Sequence, residues 1–249
     1  MLALVTGASS GIGRDIAREL VARGWHVILV ARRADRLREL KNELGKHSQC
    51  VRCDVSHIEE CKKLHEVLQP RGIDMLVNCA GFGECGFFDE TDLDGELRMI
   101  DTNLVAVHVL TKLFLADFIK KNKGYILNVA SVAGFFSGPY MATYYATKNY
   151  VVSLTGAVHE ELRQKNSKVK ISALCPGPVD TEFNDVAKVK FSSKPISSHT
   201  AACMGIDGVM KGKLYIVPTA KMKMLKFVKR LLPDGLISQF CFRLQKNKK

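Results

Sequence analysis

The stretch "GPYMATYYATKNY", residues 138–150, sets four tyrosines beside one lysine. A phenol and an ammonium one helical turn apart can pass a proton to or from a bound substrate, because the cation favours the charged phenolate. Tyrosine needs such help, since its ordinary pKa of about 10 makes it a poor base near neutrality. The longer run "ATYYATKNYVVSLTGAVHEEL" reads as one helix. Residues three and four apart share a helical face, so Tyr144 and Tyr145 both reach the side of Lys148. Tyr140 falls before the helix and Tyr150 lies beyond the lysine, which leaves two candidate phenols.

A second chemical feature opens the chain. In "LVTGASSGIGRDIAREL", Gly7, Gly11 and Gly13 stand between a strand and a helix, with Ser9, Ser10 and Ile12 among them. Glycines there permit positive φ and let backbone N–H groups at the helix start approach a pyrophosphate. The same turn formally matches the G-x-S-x-G elbow of serine hydrolases, with Ser9 as nucleophile. That elbow normally follows several strands, whereas this one follows the first, and no Asp-then-His pair stands at loop positions downstream. At the end of the second strand, "ILVARRAD" has Ala31 where an acid would bind the 2′-hydroxyl of NAD, followed by Arg32 and Arg33. An arginine fork suits a 2′-phosphate, so NADP is the expected cofactor.

These groups need a scaffold. Apolar β-rich runs at 2–6, 27–31, 49–54, 75–78, 124–130, 170–174 and 213–217 alternate with amphipathic runs such as "RDIARELVARG" and "HIEECKKLHEVL". The alternation predicts a doubly wound, mostly parallel seven-stranded α/β sheet with helices on both faces. A chain of 249 residues fits one such domain, and no apolar run approaches the roughly eighteen residues needed to cross a bilayer. The start "MLALVTG" enters a strand with no basic leader before it, which points to a cytoplasmic protein. Cys50 and Cys53 have the spacing of a metal or redox pair, but an offset of three along a strand turns the thiols to opposite faces, and no metal site is expected. Residues 211–249 carry +10 of the net charge of +12. The catalytic domain is therefore drawn over 1–217 and a basic amphipathic extension over 218–249. The loosest stretch, "PGPVDTEFNDVAKVKFSSKPIS", has the length of a functional lid.

The motifs "TGASSGIG", "CDV", "NCAG", Asn103, "NVASVAG", Tyr144-x-x-x-Lys148 and "CPGPVDT", in that order, resemble the short-chain dehydrogenase/reductase family over Leu2 to Val217. The resemblance selects Tyr144 over Tyr145 and implies a catalytic set of Asn103, Ser131, Tyr144 and Lys148. It places Asp54 and Val55 at the adenine, makes Asn78, Ala80 and Gly81 the cofactor floor, and brings Pro176, Gly177, Val179 and Thr181 to the nicotinamide end. Lys148 would hold the ribose, Ser131 the substrate oxygen, and Asn103 a proton-supplying water, while Tyr144 gives a proton to a carbonyl that receives hydride from NADPH. Two positions depart from the pattern: Cys79 replaces the second asparagine of "NNAG", and Ala106 stands where glycine is frequent. The resemblance also implies a homodimer or homotetramer.

Seven phenylalanines, Phe82, Phe87, Phe88, Phe135, Phe136, Phe183 and Phe191, fall in loops beyond the carboxyl ends of the strands, where substrates bind. They lead to the expectation of a bulky apolar substrate such as a steroid, bile acid or acyl ketone. The tail's apolar side, Met224, Leu225, Val228, Leu231 and Leu232, either packs on the domain or a second subunit, roofing the pocket, or meets a membrane surface among Lys223, Lys226, Lys229 and Arg230. Nucleic acid is not expected, for want of a stacking platform. A non-catalytic NADP sensor or scaffold is the rival from another class; it should have lost part of the tetrad.

Overall fold

Seven apolar runs form one parallel sheet, from strands β1 (Leu2–Thr6), β2 (His26–Ala31), β3 (Ser48–Arg52), β4 (Met75–Asn78), β5 (Tyr125–Val129), β6 (Lys170–Leu174) and β9 (Tyr215–Ile216). Between β6 and β9 the chain adds a two-stranded ribbon, β7 (Val179–Asp180) and β8 (Ile196–Ser197). The protein is seen in a computed structural model that describes all residues except Lys188, 190–193, Arg230 and 247–249, and only the backbone of 244–246. Phe191 and Arg230, named above, lie outside the described residues.

Residue parity along the strands builds two cores, because successive side chains face opposite ways. Ala3 and Val5 of β1, Val27 and Leu29 of β2, and Met75 and Val77 of β4 pack under helices α1 (Gly11–Ala22), α2 (Ala34–Leu44) and α8 (Ser198–Met210). Their neighbours Leu4, Ile28 and Leu76 turn to the other face, against α3 (Ile58–Leu68), α5 (Ala106–Lys121) and α6 (Ala142–Gln164). Cys50 and Cys53 divide between these two cores, as their offset of three requires.

The strand order β3-β2-β1-β4-β5-β6-β9 reverses direction between β1 and β4. A cleft opens at such a reversal, beyond the strands' carboxyl ends. Thr6 joins the two ends there: its Oγ1 accepts from the amides of Cys79 at 3.0 Å and Ala80 at 3.2 Å.

One expectation needs correction. The run Leu93–Lys121, comprising α4 (Leu93–Ile100), a π-helical turn (Asp101–Val105) and α5, has the length and hydropathy to cross a membrane, with a mean of 1.4 over its richest window. Its inner face is core, with Ala106, Leu110, Phe114 and Phe118 all buried. The loop after β6 holds the ribbon and a short helix α7 (Phe183–Val186). The tail forms two helices, α9 (Ala220–Lys229) and α10 (Asp234–Lys246). Pro233 has no N–H to continue a helix, and its carbonyl accepts from Leu236 and Ile237, which starts the second one.

Candidate active site

The glycine turn has the form its residues imply. A Cβ on Gly7, at φ +66°, would lie 2.8 Å from the Ala80 backbone, and one on Gly13 would lie 2.4 Å from the Gly7 carbonyl. Only bare backbone lets β1, β4 and α1 meet this closely. Helix α1 begins with no side-chain cap and no acid in its first turn, so its orphan N–H groups and positive dipole end are turned to the cleft. That is the requirement of a bound pyrophosphate, and the residues present fit a dinucleotide.

Ser9 and Ser10 serve the arginines. Arg33 donates to Ser9 Oγ at 3.0 Å and to Ser10 Oγ at 2.8 Å, and its other nitrogen pairs with Glu182 at 2.9 Å. Arg36 also pairs with Glu182. Arg32 faces Asp54 at 3.7 Å. Burial works against the Asp54 charge, but hydrogen bonds from Ser56 and then the nearby charge of Arg32 hold its pKa below the ordinary value. Since Ser9 accepts from Arg33 and contacts no histidine among the described residues, the hydrolase reading has no base to activate it.

Ser131 stands two residues past β5 and accepts from the amide of Ala133 at 3.1 Å, which starts a 3₁₀ turn over Val132–Phe135. Asn149 of α6 holds that turn through the carbonyls of Ala133 at 3.1 Å and Phe136 at 2.8 Å. Ser131 thus faces α6, one turn of which carries Tyr144 and Lys148. Burial pushes the Tyr144 phenol up to about 12, and the Ser131 hydroxyl bonded to it draws it down. The same burial pushes Lys148 down to about 8. Its Nζ donates to the Val129 carbonyl at 3.0 Å and lies 5.8 Å from the Tyr144 ring centre.

Both phenols that spacing left equal line the cleft, and they differ in their neighbours, with Ser131 and Lys148 beside Tyr144. Tyr145 lies against Gly138, where a Cβ would sit 2.2 Å from its ring. Tyr140, at φ +67°, stacks on Phe87 at 4.5 Å and Phe242 at 5.3 Å. Tyr150 bonds His108 at 2.6 Å.

Two predicted site residues stand behind the cleft wall and do not line it. Asn78 is buried and donates to Thr111 at 3.0 Å and Asn128 at 2.9 Å. Asn103 is wholly buried in the π turn, whose extra residue rotates it inward. Its amide accepts from the Phe82 N–H at 3.0 Å and donates to the Phe82 carbonyl at 2.8 Å and to Thr147 at 3.2 Å. The side chain clamps the loop after β4. Gly81 fits between Asn103 and Lys148, with room for no Cβ at 2.9 Å from Asn103 Oδ1.

The cleft is continuous from the glycine turn to the tail and encloses about 1120 Å³, enough for a dinucleotide and a second molecule. Ala80, Val55, Pro176, Gly177, Val179 and Thr181 line it with the turn residues. Of the seven loop phenylalanines, Phe82, Phe136 and Phe183 reach it. Phe87 packs on Tyr140, Phe88 is exposed, and Phe135 packs on Tyr215 and under Lys226. The tail supplies what they do not: Leu225, Val228, Leu236 and Ile237 close the far end.

A family model described as short chain dehydrogenase matches residues 1–190, well over half the chain. The chain belongs to the short-chain dehydrogenase/reductase family. As a member it is an oxidoreductase that uses a nicotinamide cofactor on carbonyl or alcohol substrates. Among short-chain dehydrogenase/reductases it is 31% identical to "11-beta-hydroxysteroid dehydrogenase-like 4A" of Arabidopsis thaliana over 95% of this chain and 82% of that one. A short-chain dehydrogenase from Sphingobium yanoikuyae in complex with NADPH superposes with TM-score 0.82 at 27% identity, covering 95% of each chain. Another from Burkholderia phymatum in complex with NAD gives 0.84 at 25% identity over 92% of each.

Proposed function

We propose that this short-chain dehydrogenase/reductase uses NADP to interconvert a bulky apolar ketone and its secondary alcohol. The observation that carries the reading is the half-buried Tyr144 phenol, with Ser131 and Lys148 beside it at the meeting point of the cofactor turn and an apolar chamber. Bound NADPH would supply hydride. The protein's part is to hold the carbonyl oxygen with the Ser131 hydroxyl and to pass it the Tyr144 proton. A phenol pushed up to about 12 stays protonated at neutral pH, which suits donation and hence reduction. Lys148, still largely charged below its lowered pKa, would bind ribose hydroxyls and steady the phenolate left behind.

Arg33, already extended onto the two serines of the turn, supports a 2′-phosphate. The apolar lining from Phe82, Phe136, Met141, Phe183, Leu225 and Ile237 supports a steroid-sized or long acyl ketone, in keeping with the hydroxysteroid named in the Arabidopsis relative. An intact set of proton-handling groups argues against a sensor that has given up chemistry. Buried Cys53, Cys61 and Cys175 form no disulfide, which suits the reducing, cytoplasmic setting proposed for this chain. On the side of the tail away from the cleft, Phe227 and Leu231 are exposed, and with the nearby lysines they favour a peripheral contact with anionic lipid.

The test follows NADPH oxidation across ketones graded by size. Tyr144→Phe should lower turnover by roughly 10²–10⁴-fold and leave cofactor binding intact. Near-normal turnover in that variant, with loss in Tyr145→Phe, would overturn the assignment.

A further inference from the structure

Away from the cleft, α1 and α8 lie side by side, joined at one end by Ser198 donating to Asp15 at 2.5 Å. One turn further along α1, Glu19 faces His199 and Cys203, which are themselves one turn apart on α8. The three donor atoms lie within 4.8 Å of one another. Cys203 Sγ is 3.6 Å from His199 Nε2, and that nitrogen is 3.5 Å from Glu19 Oε2. A tetrahedral ion with bonds of about 2.0–2.3 Å sets its sulfur, nitrogen and oxygen ligands roughly 3.3–3.6 Å apart. These two spacings already match, before any ion draws the side chains in.

The surroundings leave the needed atoms available. Arg23 engages the other carboxylate oxygen of Glu19 at 2.7 Å and Asp207 at 2.6 Å, so Oε2 keeps its lone pairs toward His199. Charge also closes: a divalent ion is neutralised by the Cys203 thiolate and Glu19, while Arg23 is neutralised by Asp207. Thiolate and imidazole with one carboxylate suit zinc far better than magnesium or calcium, which prefer all-oxygen shells. None of the three residues lines the cleft.

We infer that Glu19, His199 and Cys203 form a zinc-class metal site that ties α1 to α8, with water completing the tetrahedron. On binding, the Cys203 thiol releases its proton to solvent and the sulfur bonds the ion. The site would act as a strut, because α1 begins at the cofactor turn and α8 follows the ribbon beyond Thr181.

The experiment uses the full chain, stripped with a chelator and titrated with Zn²⁺ against a chromophoric competitor, then with Co²⁺ as a spectroscopic probe. One ion per chain should bind, with cobalt showing tetrahedral d–d intensity and a thiolate charge-transfer band, and zinc should raise the melting temperature. Cys203→Ser should abolish the charge-transfer band, and His199→Gln should weaken zinc by about tenfold or more. All three side chains are at the surface of the helix pair, and metal-free melting of each variant checks that it folds. Failure of the parent chain to bind zinc more tightly than both variants would overturn the site. So would a charge-transfer band that survives in Cys203→Ser, since the thiolate would then come from elsewhere.

Discussion

Replacing Asn103 by alanine separates a structural clamp from a group that acts on the reacting atoms. The side chain satisfies both backbone groups of Phe82, through bonds of 3.0 and 2.8 Å, and reaches Thr147 at 3.2 Å. Alanine would strand the Phe82 N–H and carbonyl in a partly buried position. An unsatisfied buried group costs about 1–3 kcal/mol, and partial burial favours the lower half, so the pair amounts to about 2–4 kcal/mol. In a chain of this size each kcal/mol moves the melting temperature by about 2–4 °C, which gives a fall of roughly 4–16 °C. Because the loop after β4 carries Ala80 and Gly81 into the cleft, cofactor affinity should drop as well. Thr147 keeps its own 2.7 Å bond to the Tyr144 carbonyl, so turnover at saturating cofactor should fall less than affinity does. Thermal melts with and without NADP, together with a KM-against-kcat comparison, read both effects. An unchanged melting temperature with collapsed turnover would refute the clamp.

Glu182→Gln should tighten binding of 2′,5′-ADP by roughly two- to tenfold and leave 5′-AMP unaffected, because the carboxylate now competes for Arg33 and Arg36; equal changes for both nucleotides by calorimetry would contradict this. Lys148 should make stability climb with pH. Its folded pKa of about 8 lies below the ordinary 10.5, so between those values the unfolded chain binds the extra proton and each rise in pH favours the fold. The stability of the parent minus that of Lys148→Met, from urea midpoints, should therefore increase between about pH 8 and 10. Exchanging exposed Phe227 and Leu231 for serine should release the chain from anionic vesicles without altering its melting temperature; co-sedimentation unchanged by the pair would argue against the lipid contact.

What could be read from the sequence was what is local. The strands follow from apolar parity, the glycine turn from close backbone approach, and the Tyr144/Lys148 turn from helical period. What could not be read was settled by distant partners. Helical period alone left Tyr144 and Tyr145 equivalent and the resemblance chose Tyr144; in the fold Ser131 stands by Tyr144 and Gly138 by Tyr145, and both phenols line the cleft. Asn103 carries no local sign that a π turn will bury it against Phe82. Glu182 meets Arg33 across 149 positions of chain. The phenylalanine count overstated the cleft because Phe87 and Phe135 found aromatic partners outside it, and half-exposed tail residues such as Leu236 close it instead.

The tail's place at the far end of the cleft bears on how such an enzyme changes partners over time. The family model stops at residue 190, whereas the residues that close the apolar chamber run from Lys221 to Cys241. The proposed proton-transfer groups, the glycine turn and part of the apolar lining (Phe82, Phe136 and Phe183) lie inside the matched stretch, and the rest of the lining lies outside it. On the proposed function, a substitution at Leu225, Val228 or Ile237 would alter the fit to the guest without touching Tyr144.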